Sequence, residues 1–448
     1  MTSALTDSET LEAHLAPCVP IDAASSLAAW AASGAMWLTG AHDGPPLPPP
    51  SGLVESVERL GRSIADVTHR ASRVTNWAQP VVVDAMGLLA ERAAIARLER
   101  HGRVSCGGAS RLLESGDGRT IAVSLSRPSD IEVIPAWLGI EPEAHLQGDG
   151  AMWEQVAHEV GRRSAADVVT QGVLLSLPIA LLGERTVNDR AAVSARRITS
   201  RSSRRSARRP LVIDLSSLWA GPLCGHLLHL AGAEVIKVES IARPDGARSG
   251  PPDFFSLLNA GKTMVSLDFS VPSDLDVLGR LLIEADVVIE ASRPRALAQL
   301  GLTASALPAT SDRVWVTITG HGSVGVDEGA ANRVGFGDDA AVAGGCVAWS
   351  TDGPVFCADA IADPLAGLAA AATTLAATAE GGSWSLDVAL SSVAAWASGG
   401  EPDAGSLDWP GAAIPAVPTA RQVGLTAASL GADNRWLEQF ERAHRGRR

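Results

Sequence analysis

The stretch that decides the fold is LVIDLSSLWAGPLCGHLLHLAGAEVIKVE, residues 211–239. An apolar run, LVIDL, is followed by a Gly/Pro turn, a helical stretch over 222–232 and a second apolar run at 234–239. Short buried runs joined by an amphipathic helix are the signature of a β-α-β unit. The stretch therefore predicts two parallel strands with a helix packed across them.

The same alternation continues beyond residue 239. Further apolar, β-branched runs alternate with helical patterns, in the order TMVSLDF (263–269), a helix over 274–285, DVVIEA (286–291), a helix around Leu297 and RVWVTITG (313–320). Strands and helices in strict alternation predict a parallel sheet covered on both faces. We therefore expect an α/β fold with a Rossmann-like, doubly wound parallel sheet.

The first half of the chain has a different pattern. Helical periodicity occurs near 85–100 and 152–163, and RLLESGDGRTIAVSL (111–125) predicts a hairpin that turns at 115–118. These elements form no β-α-β series. The first half is therefore predicted to be an additional α+β domain.

A Ser/Arg run, RRITSRSSRRSARRP, separates the two halves at 196–210. It has no apolar periodicity, which favours a solvated linker, although such a run could also bind phosphate groups. The predicted organisation is an α+β domain at 1–195, a linker at 196–210, the sheet domain at 211–400 and a C-terminal tail at 401–448.

Composition excludes several classes of protein. With 37 basic and 50 acidic residues the formal charge is −13, which disfavours a partner made of nucleic acid. The widely spaced cysteines lack a metal-ligand or disulfide pattern; they are Cys18, Cys106, Cys224, Cys346 and Cys357. No apolar stretch is long enough to span a membrane and residues 1–20 do not form an export signal. We expect a cytoplasmic protein with no metal site and no membrane partner.

Asp363 is the residue that local chemistry singles out. In CADAIADPLAGLAAAATTLAATAEGG (357–382), Asp363 is predicted to cap a helix that has Pro364 at its first position and ends at the glycines. Free backbone N–H groups and the helix dipole would keep this carboxylate ionised and stabilise an adjacent oxyanion. The residues alone leave open whether Asp363 only caps the helix or also reacts.

From Pro210 to about Trp396 the chain resembles the family III CoA-transferases, which include the formyl-CoA and carnitine CoA-transferases and the related α-methylacyl-CoA racemases. The resemblance lies in VIDLSSLWAGPLCGHLLHLAGAEVIKVES, NAGKTMVSLDFS and ADVVIEASRPRALAQLGL, in that order, and in the Thr351–Pro354 loop before Asp363. It implies that Asp363 is the catalytic carboxylate. The glycine loop at Gly107 and Gly108 also resembles the family, but it stands before the sheet domain instead of after it, as in a rearranged or fused chain.

The resemblance also implies a coenzyme A site. By position in the family pattern, basic groups meet the CoA phosphates and a helix start lies by the thiol arm, which implies binding roles for Ala220, Gly221, Arg248, Lys262 and Arg293. No G-x-G-x-x-G motif opens a helix, which disfavours a dinucleotide cofactor. The implied ligand is therefore coenzyme A or acyl-CoA as substrate, with no prosthetic group.

The implied reaction moves CoA from an acyl-CoA to a carboxylic acid through an aspartyl anhydride and an aspartyl-CoA thioester, in a homodimer. Gly107 and Gly108 would close over the reacting group and exclude water. Two alternatives remain open. One is a racemase, but the segment at 335–339 lacks the histidine of the racemases, and His321 stands elsewhere. The other is a non-catalytic subunit that binds acyl-CoA.

Overall fold

The computed structural model describes residues 6–140, 149–186, 191–200, 208–292, 294–308, 312–322, 332–399, 413–422 and 424–444. Its α-helices are α1 (Asp7–Glu12), α2 (Ala23–Ala32), α3 (Leu53–Ser72), α4 (Glu91–Ala96), α5 (Pro128–Glu132), α6 (Ile134–Leu138), α7 (Asp149–Val160), α8 (Ala165–Leu174), α9 (Ala220–Leu230), α10 (Pro252–Asn259), α11 (Pro272–Glu284), α12 (Pro294–Gln299), α13 (Gly337–Ala343), α14 (Ala362–Glu380), α15 (Leu390–Ala397) and α16 (Asn434–His444). Its strands are β1 (Ser110–Glu114), β2 (Thr120–Ser124), β3 (Ile179–Leu181), β4 (Ser194–Thr199), β5 (Leu211–Asp214), β6 (Glu234–Ser240), β7 (Thr263–Leu267), β8 (Val287–Glu290), β9 (Val314–Thr319), β10 (Val347–Ser350), β11 (Gly353–Phe356) and β12 (Ser383–Ala389).

A seven-stranded sheet organises the described part of the chain, in the order β4-β12-β9-β8-β5-β6-β7. Neighbouring strands pair in parallel, except that β4 is antiparallel to β12. Successive residues of β5 enter opposite cores: Val212 packs with α9 and α14, whereas Leu211 and Ile213 pack with α11. The predicted α/β fold with a doubly wound, mostly parallel sheet is therefore confirmed.

The α+β unit occupies a smaller part of the first half than the sequence pattern suggests. Strands β1, β2 and β3 form a separate antiparallel sheet that packs on α6, α7 and α8. In contrast, Trp30 and the apolar face of α3 belong to the same core as α9 and α14. Residues 6–96 thus complete the core of the sheet domain, and the core is continuous across the boundary predicted at residue 195.

The Ser/Arg run also differs from the expectation of a linker. Its first residues belong to β4, while 201–207 lie outside the described residues. An edge strand tolerates charged side chains because only one of its edges pairs. Here the Arg197 guanidinium lies 4.5 Å from the ring centre of Trp384 on β12 and also forms an ion pair with Glu380.

The C-terminal segment packs on the fold where it is described. The Ala416 backbone N–H donates to the Ala31 carbonyl oxygen at 2.8 Å, and Leu437 and Phe440 of α16 enter the core beneath β7. Among the described residues, no helix is both long and apolar enough to cross a membrane.

Gly232 joins the first segment of the chain to the α-β unit, and it provides a test of this fold. Its φ is +102°, and a β-carbon there would lie 2.2 Å from the Trp77 carbonyl oxygen. We expect Gly232→Ala to lower the free energy of unfolding by about 3 kcal/mol, because it combines strain with a backbone clash. Urea denaturation measures the loss.

The matched control is Gly118→Ala in the β1–β2 turn, where φ is +73° and no atom lies within 4 Å of the added carbon. Strain alone should cost about 1 kcal/mol there. Equal losses in the two variants would contradict the close packing of Trp77 on Gly232.

Candidate active site

Asp363 lies in the first turn of α14, and its side chain is partly exposed. The helix begins at Ala362, with Ile361 as the capping residue and no side-chain cap. The prediction that Asp363 is the cap, with Pro364 at the first helical position, was therefore wrong by two residues. Asp363 is instead inside the helix, so its carboxylate is free of the capping bond.

The loop before Asp363 is held in an uncommon backbone conformation. Ala358 and Ala360 have φ values of +53° and +43°, a region that costs energy for residues with a β-carbon. Their N–H groups are fixed by side chains: Ala358 donates to Thr39 Oγ1 at 2.9 Å and Ala360 donates to Asp338 Oδ1 at 3.1 Å. This geometry turns Asp359 inward and sets the start of α14.

Arg92 on α4 joins the first half of the chain to this loop. Its Nε donates to Asp359 Oδ2 at 2.8 Å and its Nη2 donates to Asp359 Oδ1 at 2.5 Å. Asp359 is fully buried, whereas Arg92 remains 30% exposed. The guanidinium also lies 5.4 Å from the ring centre of Trp219, just before α9. A bidentate, stacked guanidinium is a rigid fixture, so Arg92 has a defined position beside the site.

The Arg92 guanidinium faces three carboxyl groups, those of Asp338, Asp359 and Asp363. The other two carboxyl groups affect the acidity of Asp363. Burial, reinforced by the negative charges of Asp338 and Asp359, raises the pKa of Asp363 to about 7. Arg92 and the Gly337 N–H group act in the opposite direction. The expectation that the helix start keeps Asp363 firmly ionised is therefore corrected, because burial outweighs the helix end.

The first turn of α13 lies directly against the Asp363 carboxylate. A β-carbon at Gly337 would lie 2.5 Å from Asp363 Oδ2 and 2.4 Å from the Ala360 carbonyl oxygen. The absence of a side chain at this position lets the backbone N–H reach the carboxylate. The same N–H is positioned to stabilise an oxyanion formed at Asp363.

The structure places the predicted glycine loop beside this cluster. Gly107 and Gly108 are exposed, and a β-carbon at Gly107 would lie 3.6 Å from Arg92 Nη2. The residues just before them are anchored, because the Cys106 thiol donates to the Ala358 carbonyl oxygen at 3.3 Å. Gly108 has a φ of +79°. The glycines therefore lie at the surface above the Arg92–Asp359 pair.

Ala220 and Gly221 are buried at the start of α9. A β-carbon at Gly221 would lie 2.2 Å from Ser216 Cβ, and one at Gly367 of α14 would lie 2.9 Å from the Ala220 carbonyl oxygen. The two positions thus allow α9 to approach α14 and the loop after β5. They lie next to the Asp363 helix, and their role in binding CoA remains a prediction.

Of the three predicted phosphate ligands, Lys262 differs most from the expectation. Its Nζ is buried and bonds to Asp214 Oδ2 at 2.8 Å, the Pro222 carbonyl oxygen and Asn259. All three donors of the ammonium group are used inside the fold. The sequence pattern could not distinguish this buried ion pair from a surface cation, and we do not assign Lys262 to the phosphates.

The other two candidates are a partly exposed arginine and a residue that is not described. Arg248 forms a bidentate pair with Glu239 and lies 4.2 Å from the ring centre of Phe255. Its guanidinium is therefore held in place at the surface, with the Nε–Nη2 edge paired to Glu239. Arg293 lies outside the described residues.

Lys262→Met tests the structural role. Burial alone would raise the pKa of Asp214, but Lys262 and Lys237 hold it below its ordinary value. Removing Lys262 leaves a buried carboxylate short of a partner, which should cost about 3–5 kcal/mol of unfolding free energy in a denaturant titration.

The double variant Asp214→Asn/Lys262→Met should recover part of that loss, since no unpaired charge remains. A Lys262→Met protein with unchanged stability and lost CoA affinity would contradict this account and restore the phosphate role.

Sequence reasoning missed the groups that surround Asp363. Arg92, Asp338 and Asp359 are separated by up to 267 positions along the chain. The available signals were weak: two consecutive aspartates in the first turn of a short helix, and an Asp four residues before Asp363. In the described residues, no group of three or more His, Cys, Asp or Glu side chains is arranged to hold a metal ion.

Comparisons with known proteins find matches to the second half of the chain. The sequence model of CoA-transferase family III matches residues 210–405. An acyl-CoA transferase from Fusarium pseudograminearum is 31% identical over 130 residues, which are 25% of this chain and 28% of that protein. A succinate–glutarate CoA-transferase from Agrobacterium fabrum is 34% identical over 128 residues, 25% of this chain and 32% of that protein.

Two further proteins are similar to parts of this chain. A (R)-2-hydroxy-4-methylpentanoate CoA-transferase from Clostridioides difficile is 33% identical over 185 residues, 37% of this chain and 45% of that protein. The crystal structure of a CAIB/BAIF family protein from Brucella suis is 30% identical, covers 42% of this chain and 53% of that one, and has a TM-score of 0.37. The chain thus spans less than half the length of these three curated relatives.

The family resemblance predicted from the sequence is confirmed for residues 210–405, the segment that the CoA-transferase family III model matches.

Proposed function

We propose that this protein is a CoA-transferase that moves CoA from an acyl-CoA to a carboxylic acid, with Asp363 as the nucleophile. The observation that carries the proposal is the position of Asp363 at the start of α14, partly exposed, between Arg92 and the Gly337 N–H group. The match of residues 210–405 to the family model and the names of the relatives support the reaction class.

The proposed reaction begins when the ionised Asp363 attacks the thioester carbonyl. The carbon–sulfur bond breaks, CoA leaves as the thiolate, and an acyl-aspartyl anhydride forms. The thiolate then attacks the aspartyl carbonyl, which releases the first carboxylate and gives an aspartyl-CoA thioester. An acceptor carboxylate reverses the two exchanges, so that the acceptor leaves as its CoA thioester and Asp363 is restored. Over the complete cycle no proton is gained or lost, because carboxylates and thiolate exchange only as anions.

Each protein group has a role in this scheme. Arg92 compensates the charge of Asp359 and Asp338, so that Asp363 can ionise near neutral pH. The Gly337 N–H stabilises the oxyanion of each tetrahedral intermediate. Gly107 and Gly108, above the ion pair, would cover the anhydride and keep water away. CoA enters as a substrate, and no prosthetic group takes part.

The geometry supports transfer over racemisation. A racemase needs an acid and a base on opposite faces of the α-carbon. His321 lies against Gly335, where a β-carbon would be 3.1 Å from its Nε2, whereas Asp363 lies against Gly337. Burial, together with Arg333 and Arg185, lowers the pKa of His321 to about 3, so the neutral ring is too weak a base to remove an α-proton efficiently.

Side chains from both halves of one chain meet beside Asp363. The Arg92 side chain, the Cys106 thiol and the Ser110 hydroxyl reach the loop and carboxyls beside Asp363 from the first half of the same chain. One chain can therefore supply the groups that set the acidity of Asp363. The homodimer implied by the family resemblance stays a prediction.

Asp363→Asn tests the nucleophile. The amide keeps the shape of the carboxylate but cannot attack a thioester, so we expect transfer to fall by about 10³-fold or more while CoA affinity and stability persist. The assay uses a panel of acyl-CoAs and carboxylates read by mass spectrometry. Asp352→Asn, in the β10–β11 turn, is the matched control and should stay within about twofold.

Turnover of Asp363→Asn within about tenfold of the parent would remove Asp363 from the mechanism. No turnover by the parent with any donor, despite CoA binding, would favour the alternative of a non-catalytic acyl-CoA-binding subunit.

Arg92→Gln tests the electrostatic part of the proposal. The nucleophile is the ionised form, so activity should rise with pH through about 7 and level off above that. Arg92 lowers the pKa of Asp363, and its removal moves this rise to higher pH. Asp338→Asn removes a negative charge and should move the rise to lower pH.

The pH dependence of kcat/KM for the two variants measures these opposite shifts. Arg92→Lys retains the charge and should restore most of the parent profile, although the bidentate geometry is lost. If the pH profiles of the variants differ from that of the parent only in the maximal kcat/KM, and not in the pH at which activity rises, then Arg92 acts on folding or binding and not on the acidity of Asp363.

A further inference from the structure

A polar cavity lies beside α13. Its volume is about 120 Å³, and its lining consists of Glu184, Arg185, His321, Arg333 and Ser391. A water molecule occupies roughly 30 Å³ of liquid, so the space suits a ligand fragment of about four non-hydrogen atoms. The cavity belongs to neither the Asp363 cluster nor the packing of α9 on α14.

Buried polar atoms without partners face this region. His321 and Ser391 are 5% and 0% exposed, and neither His321 Nε2 nor Ser391 Oγ has a hydrogen-bond partner among the described residues. Arg333 Nε also lacks one, although its Nη2 bonds to Glu184 Oε1 at 2.6 Å. An unpaired buried donor costs about 1–3 kcal/mol, so these groups are suited to a polar ligand.

Asp339, next to the cavity, has a further unpaired atom. A β-carbon at Gly335 would lie 3.1 Å from His321 Nε2 and 3.2 Å from Asp339 Oδ2, so both side chains border Gly335. Asp339 Oδ1 accepts hydrogen bonds from the Phe336 N–H and from Ser124 Oγ, whereas Oδ2 has no partner among the described residues. Burial raises the pKa of Asp339 to about 7, so the group can also donate a proton to a ligand oxygen.

While Asp339 is protonated, the charged side chains around the cavity leave an excess of positive charge. Arg333 is paired with Glu184, while no described residue forms a hydrogen bond or ion pair with the Arg185 guanidinium. His321 is neutral because its pKa is lowered to about 3. Two guanidinium groups, a serine hydroxyl and one compensating carboxylate match a single bound carboxylate, which accepts two parallel N–H bonds.

We propose that this cavity is a binding site for the carboxylate group of a small organic acid, distinct from the reacting Asp363. Two sources have this chemistry: a free short-chain monocarboxylate, or the distal carboxylate of a dicarboxylic acid whose other end reacts at Asp363. The second source rests on the proposed transferase function. Asp339, which borders Gly335 together with His321, and Asp363 are held by adjacent backbone groups, because the Phe336 N–H donates to Asp339 and the Gly337 N–H reaches Asp363.

Binding of sodium acetate and sodium succinate to the full chain, measured by calorimetry, tests the site directly. We expect Arg185→Gln to weaken binding of both ions by about tenfold, because a charge-assisted pair is lost. Ser391→Val should weaken it as well, since the larger side chain fills the cavity. Arg243→Gln removes an exposed arginine and should leave affinity unchanged within about twofold.

Asp363→Asn separates this site from the reacting one, and it should bind acetate as the parent does. Thermal unfolding of each variant establishes that it is folded, and Arg185, half-buried in a loop, is the substitution least able to disturb the core. Equal affinity of Arg185→Gln and Arg243→Gln, or loss of acetate binding in Asp363→Asn, would overturn the proposal. Equal affinity of the two arginine variants would show that no carboxylate binds at Arg185. Loss of acetate binding in Asp363→Asn would show that acetate binds at Asp363.

Transfer kinetics distinguish the two sources. If the site holds the distal carboxylate of a substrate, Arg185→Gln should raise the KM for succinate by about tenfold and leave that for acetate and kcat unchanged. If a free monocarboxylate binds, neither KM changes while direct binding of acetate is still weakened. Calorimetry can be carried out even if the protein has no transferase activity. Failure of the proposed function would therefore not decide whether the cavity binds a carboxylate.

Discussion

The ion pair between Arg92 and Asp359 is the interaction on which the arrangement around Asp363 depends. Asp359 is fully buried, and a buried carboxylate without a partner is strongly destabilising. Arg92 satisfies it and simultaneously faces Asp338 and Asp363. Its own position is fixed from two sides, because Trp219 lies beneath the guanidinium and the neighbouring Glu91 forms a bidentate pair with Arg421. Distant parts of the chain thus converge on one cation.

This arrangement explains how an ordinary aspartate can serve as both nucleophile and leaving group. A carboxylate that is too well solvated attacks a thioester poorly, and one that is too basic leaves an anhydride poorly. Burial and two neighbouring carboxyls raise the pKa of Asp363 to about 7, while Arg92 and the Gly337 N–H oppose them. The opposing effects leave a group that is ionised in part at neutral pH and has a donor at hand for the oxyanion.

The sequence was informative where the physics is local. The β-α-β pattern at 211–239 predicted strands β5 and β6 and helix α9, because alternation of buried runs and amphipathic helices is recorded in neighbouring residues. Asp363 could be singled out as well, although its place within α14 was misjudged by two positions. Contacts that join remote segments have no local pattern, and for that reason Arg92 and Asp359 were missed.

The sequence pattern also could not predict which charged residues are buried or which segment forms an edge strand of the sheet. A lysine in a polar motif is consistent with a phosphate ligand, but only the packing of α9 and β7 shows that Lys262 neutralises Asp214. Likewise the Ser/Arg run resembled a linker throughout, yet its first residues form β4, where Trp384 offers an aromatic face to Arg197. The same continuity of packing shows why residues 6–96 share a core with the sheet domain.

The central claim is that Asp363 becomes covalently acylated. The most direct measurement incubates the full chain with an acyl-CoA and hydroxylamine in D₂O and then analyses both protein and ligand by mass spectrometry. The account predicts modification at Asp363, because hydroxylamine captures an anhydride or thioester but not a resting carboxylate, and no deuterium on the α-carbon of the acyl group. Deuterium uptake without modification of Asp363 would contradict it and indicate proton exchange at the α-carbon instead.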